Sequence, residues 1–143
     1  MLRDEMDIRP HLTGKCHFFA IALMREFNFR LLILTNRAEM YKRGVPATVH
    51  IYAVDEADNA YDVLGKHSAS DIIDQWMFID DESRCRPGHQ YLNSEKLLKK
   101  FTSSSDMDFS RPLIPYTQAD IDAALQIAKI RLPDLFNNTE TTA

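Results

Sequence analysis

Cys16, His50 and Asp62 have the types and order that nucleophilic catalysis by a thiol requires. Cys16 lies in Gly14-Lys15-Cys16-His17-Phe18-Phe19-Ala20, where a loop gives way to an apolar helix. His50 falls in one strand-like run downstream and Asp62 in the next. A helix N-terminus lowers a thiol pKa through its dipole and open N–H groups, and Lys15 adds a positive charge beside it. An imidazole can take the thiol proton, and a carboxylate can fix the tautomer of that imidazole. Each residue alone has a plainer reading: a packing cysteine, a half-exposed strand histidine, a solvated aspartate at a strand end. Their order, one helix start followed by one hairpin, makes them a candidate site.

The elements that must position them follow from periodicity. Phe19, Ala20, Leu23, Met24 and Phe27 recur at helical spacing, which predicts a helix over Cys16 to Phe27. Phe29 to Leu34 reads as a buried strand ended by Thr35-Asn36-Arg37, and a polar connection through Gly44-Val45-Pro46 follows. Ala47 to Val54 alternates, with Val49, Ile51 and Ala53 on one face and His50, Tyr52 and Val54 on the other. Asp55 to Asn59 is turn-like, and Ala60 to Leu64 is a second strand ended by Gly65. The resulting hairpin brings His50 and Asp62 near one another, as cross-strand neighbours on one face. A slip of one residue would turn Asp62 to the wrong face.

Beyond the hairpin, Ser68 to Asp71 offers caps for a short helix carrying Ile72, Ile73 and Trp76. Trp76, Met77 and Phe78 read as core or as a wall of a cleft, Asp80 to Gly88 as loop, and Asn93 to Phe101 as a short basic helix. Ser103 to Asp106 is linker-like, and Pro112 and Pro115 keep the chain extended. A final helix over 118–132, opened by Thr117 and stopped by Pro133, is expected to cover the core. From Asn137 the chain reads as a disordered tail.

At 143 residues, with 45% apolar and 27% charged side chains, one domain with a true core is expected. A net charge of -4 and the lack of a basic stripe argue against nucleic acid as a partner. No apolar run reaches the roughly 18 residues of a membrane span, and the charged N-terminus does not read as a signal peptide. Two cysteines, Cys16 and Cys85, do not resemble a secreted disulfide framework, so a reducing cytoplasmic setting is the expectation.

Gly-x-Cys-x-x-Phe-Ala opening a helix, a strand with a valine-flanked histidine, and Tyr61-Asp62-x-x-Gly65 together resemble the papain-like cysteine hydrolase superfamily. The likeness is to its smaller bacterial and phage branches, the NlpC/P60 and transglutaminase-like groups, and covers about residues 14 to 65. It implies an α+β fold in which an N-terminal nucleophile helix packs on a small, mainly antiparallel sheet. Residues 1–136 would then be a single papain-like domain and 137–143 the tail. It also implies Cys16 as nucleophile, His50 as general base and acid, and Asp62 as the residue that orients the imidazole. No cofactor or metal is implied, and the substrate would be a protein or peptide.

The resemblance further implies an oxyanion hole built partly from the backbone N–H of Cys16. Papain takes its second donor from a glutamine just upstream, whereas the first glutamine here is Gln75. His11, His17 or another backbone amide would have to serve, so deamidation and acyl transfer stand beside proteolysis. Cys16, His17, His50, His67, Cys85 and His89 are potential zinc ligands. Paired short spacings are missing, and adjacent Cys16 and His17 point about 100° apart on a helix, so zinc is not expected. His67 follows the hairpin closely enough to approach the site, but reads first as a surface histidine. A different class of function also fits the chain, a protein-binding module of the same fold without turnover, such as a bacterial or phage factor that sequesters a host protein.

Overall fold

Every residue from His17 to Met24 is buried, a pattern that a helix shows only when it is covered on all sides. That helix, α1 (Cys16–Phe27), is the centre of the molecule. The computed structural model describes residues 16–37, 47–78, 87–98 and 116–141, with side chains described for 17–37, 50–78, 87–98 and 116–137. Cys85, the expected 103–106 linker, Pro112, Pro115 and most of the expected 80–88 loop therefore lie outside the described residues, as does the side chain of Cys16.

The helix ends where Asn28 takes a left-handed φ of 61° and donates its backbone N–H to the Met24 carbonyl at 2.7 Å, a conformation asparagine tolerates better than most residues. The chain then reverses into β1 (Arg30–Asn36), which runs two residues beyond the expected end. β1 is buried on both faces, and its continuous apolar run reflects that. β2 (Ala47–Val54), β3 (Asn59–Asp62), β4 (Gly65–Ser68) and β5 (Pro87–Leu92) complete one antiparallel sheet of order β4-β3-β2-β1-β5. The fold is α+β, as expected from the pattern of elements.

Two strands depart from the expectation. Gly65 does not end the hairpin strand. Instead the chain turns at Val63-Leu64 and Gly65 opens β4, which pairs back on β3 from Asp62↔Gly65 to Asn59↔Ser68. β5 occupies a stretch whose Pro87-Gly88 start reads as loop, because Pro87 begins an edge strand, where proline is tolerated.

The sheet divides two clusters of apolar side chains. On one face, Leu31, Ile33, Ile51, Ala53, Tyr61 and Val63 pack against α1. Helix α3 (Gln118–Arg131) covers α1 in turn with Ile121, Ala124 and Ala128, whose small alanines allow close approach. A reciprocal capping box starts α3: Asp120 donates its backbone N–H to Thr117 Oγ1 at 3.2 Å and accepts the Thr117 N–H at 2.8 Å. On the other face, Leu32, Leu34, Val54, Ala60 and Ala69 form a smaller cluster under α2 (Ala69–Met77), joined by Ile72, Ile73 and Trp76. Ser68 caps α2 by accepting the Asp71 N–H at 3.3 Å. Trp76 Nε1 donates to the carbonyls of Gly88 (2.9 Å) and Thr35 (3.2 Å), tying the end of α2 to the β1–β5 ladder. Met77 and Phe78 are exposed, Phe78 by 84%, and are not the core or cleft wall expected of them.

Pro133 stops α3 but also begins α4 (Pro133–Thr141), which runs into the stretch expected to be a disordered tail. Proline suits the first helical turn, where its missing N–H costs nothing, and Leu135 and Phe136 pack on the main core. Among the described residues no helix is long and apolar enough to cross a membrane.

Candidate active site

The β2–β3 turn sets the register of the candidate site. The Asp55 carboxylate accepts the backbone N–H groups of Ala57 and Asn59, both at 2.9 Å, and the Tyr61 hydroxyl at 2.9 Å. Burial would raise the Asp55 pKa, but these hydrogen bonds outweigh it and hold the carboxyl below its ordinary value. Asp58 takes the left-handed conformation at φ 65°. The strands leave this turn paired Val54↔Ala60 and Ala53↔Tyr61. Continued one step, that register sets Tyr52 opposite Asp62 and places His50 diagonally from it on the same face. The pair is therefore a diagonal one, with a tyrosine in the directly opposite position.

His50 Nε2 lies 3.0 Å from Asp62 Oδ2. A second imidazole does the same from the other side: His67 Nε2 lies 2.9 Å from Asp62 Oδ1, which also accepts the Leu64 N–H at 3.0 Å. His67 stands on β4 opposite Ala60, so it is also diagonal to Asp62. The carboxylate thus has a histidine from each flanking strand. Tyr52 completes the group, its ring edge-on to His50 at 4.6 Å and to His67 at 6.0 Å.

The electrostatics fix the protons. Burial would push the Asp62 pKa up, but hydrogen bonds from His50 and His67, with their charges when protonated, hold it below the ordinary value. Asp62 is then an anion near neutral pH and can only accept. Both histidines must donate from Nε2, so each neutral ring carries its proton there and Nδ1 is the basic nitrogen. Access is graded: the side chain of Asp62 is 6% exposed, His50 13% and His67 34%. With both Nε2 atoms turned to one carboxylate, the three groups do not converge as ligands, and among the described residues no cluster suited to a metal ion occurs.

The backbone of Cys16 opens α1. α1 has 12 residues, about 18 Å of helix, and its C-terminus feeds β1, about 20 Å of strand. The far end of β1 is Thr35–Asn36. That end pairs with Ala47 and Thr48, just before His50. The ladder is irregular there: Leu34 pairs with His50, but Thr35 pairs with Thr48. Such a bulge re-aims the strand at a sheet end. α1 covers the face of Ile51 and Ala53, whereas His50 alternates to the face of Tyr52 and Val54. α1, with Cys16 at its start, thus packs on the face of the sheet opposite His50, and the structure does not bring the two together.

No family model matches the chain, and no curated protein or solved structure is significantly similar to it.

Among the described residues, two further histidines are His17 and His89. His17 is buried, its ring edge-on to Phe18 at 4.6 Å and to Tyr116 at 5.8 Å. His89 is exposed on β5. His67, read first as a surface histidine, instead joins the site at Asp62. Its signal was the tight Val63-Leu64 turn, which folds Gly65-Lys66-His67-Ser68 back beside Asp62.

Proposed function

We propose that the chain is a cysteine-dependent amide hydrolase or acyltransferase of papain-like fold, acting through a thioester on Cys16. The observation that carries this reading is the His50–Asp62 bond. It joins a shielded carboxylate to an imidazole whose basic nitrogen is Nδ1. In this reading Cys16 supplies the thiol because it opens α1, and a helix start favours the thiolate.

In this mechanism His50 Nδ1 takes the Cys16 Sγ proton, and the thiolate attacks the carbonyl carbon of an amide. The Cys16 backbone N–H, open at the helix start, donates to the developing oxyanion. As the C–N bond breaks, His50 returns the proton to the leaving amine or ammonia, leaving a thioester. Water or an acceptor amine, deprotonated by the same Nδ1, then attacks the thioester and regenerates the thiol. Asp62 stays ionised and holds the imidazolium. A peptide bond, an isopeptide bond or a glutamine carboxamide in a protein or peptide would enter by this one acyl-enzyme step. A reducing cytoplasm would keep the thiol competent.

The test is the rate of Cys16 alkylation by iodoacetamide against pH, in a Cys85→Ser background with and without His50→Ala. The expected result is a fast rate persisting well below the ordinary thiol pKa of about 8.5, reduced tenfold or more, about the effect of one pKa unit, by His50→Ala. A slow rate following an ordinary thiol in both proteins would overturn the proposal and turn the search to binding partners.

A further inference from the structure

We infer that His67 is a positioning residue for the candidate site, holding the Asp62 carboxylate in the orientation that keeps the His50 proton on Nε2. This deepens the proposed function and rests on it for its catalytic meaning, although the positioning itself concerns only His50, Asp62 and His67.

The geometry is that of a clamp. Asp62 sits on β3 with His50 diagonal on β2 and His67 diagonal on β4, each taking a different carboxylate oxygen. A carboxylate turns about its Cα–Cβ and Cβ–Cγ bonds. A single donor on Oδ2 leaves that rotation open, because the group can swing while following the imidazole. The bond from His67 to Oδ1 at 2.9 Å and the one from Leu64 N at 3.0 Å close it from the opposite side. Of these two, only His67 can be removed by substitution, since the other is a backbone amide.

The division of labour follows from exposure. The His50 side chain is 13% exposed and lies at the bulged end of β2, whereas His67 is 34% exposed on an edge strand. His67 is thus the outer of the two rings, in contact with solvent, and His50 the inner. The titratable groups around His50 include Asp62 on β3, Tyr52 on its own strand and, through Asp62, His67 on β4.

Two effects of removing His67 have opposite sign, which makes the inference testable. If His67 merely competes for the carboxylate, its loss strengthens the hold of Asp62 on His50 and raises the His50 pKa. If His67 positions Asp62, its loss loosens the carboxylate, lowers the His50 pKa and lets the neutral ring populate both tautomers.

The experiment is a 15N and 1H NMR titration of the His50 ring in the full chain, as wild type, His67→Ala and His67→Gln. Positioning predicts that His67→Ala lowers the His50 pKa by about half a unit or more and mixes the tautomer-sensitive 15N shifts. It also predicts that His67→Gln, which keeps an N–H donor, restores both values. An unchanged or raised His50 pKa in His67→Ala, with its Nε2–H tautomer intact, would overturn the inference, as would failure of His67→Gln to restore either value. These ring signals do not depend on an activated Cys16. Loss of the proposed activity in the alkylation test and loss of the clamp are therefore separate results.

Discussion

Asp62 accepts the His50 Nε2–H diagonally across the β2–β3 ladder, at 3.0 Å, while Tyr52 holds the directly opposite position. The acceptor has little water to fall back on, since its side chain is 6% exposed. An amide in its place would present one oxygen and one N–H group where two acceptors are needed. Asp62→Asn is therefore expected to reverse one imidazole or lose one bond. Any Cys16-dependent turnover should fall by about 10²-fold or more, a loss read in kcat/KM.

The same carboxylate shapes the response to acid. Its pKa is depressed in the folded chain, as is that of Asp55 in the β2–β3 turn. A depressed carboxyl contributes stability that is full above the unfolded value of about 3.9 and is lost as pH falls through the folded value. Urea midpoints should hold near neutral pH and decline below about pH 4. In Asp62→Asn the decline should be shallower, because that group no longer binds a proton on unfolding; an identical slope would exclude Asp62 as its source.

Gly88 carries the carbonyl that receives Trp76 Nε1 at 2.9 Å, and it has no room for a side chain. A Cβ there would lie 2.8 Å from Thr35 Oγ1 and 3.0 Å from Arg37 Nε. Thr35 is buried, so it cannot simply swing away. Gly88→Ala should cost about 1–3 kcal/mol in urea unfolding, with Trp76 fluorescence shifted as its two carbonyl partners separate.

Thr117 starts the helix that covers α1, and its side chain and Asp120 satisfy each other's backbone N–H groups. Thr117→Ala should destabilise the fold by about 1 kcal/mol. The His50 ring signals should stay in place, because α3 lies on the other face of the sheet. Thr117→Asp should recover most of the loss.

Legibility in the sequence followed the strength of each residue pattern. α1, β2, α2 and α3 announce themselves by apolar spacing and by the caps Ser68 and Thr117. β4 does not, because Gly65-Lys66-His67-Ser68 has no apolar alternation; it is held by pairing with β3 rather than by burial. β5 hides behind Pro87-Gly88, residues that mark turns except at a sheet edge. Pro133 reads as a stop and is also a start. The His50–Asp62 meeting was legible because a short acidic turn permits few registers. The second histidine was not, since it depends on a strand that only tertiary pairing creates.

The burial of α1 from His17 to Met24 on every side has a kinetic meaning. A helix with a solvent face can fray or lift away in partial openings that leave the rest of the molecule folded. α1 has no such face along this stretch, for the sheet lies on one side and α3 on the other. Its amides should exchange with solvent only when the whole chain unfolds. The stretch that follows Cys16 is thus a covered platform, and adjustment to a substrate would have to come from the strands and connections around it.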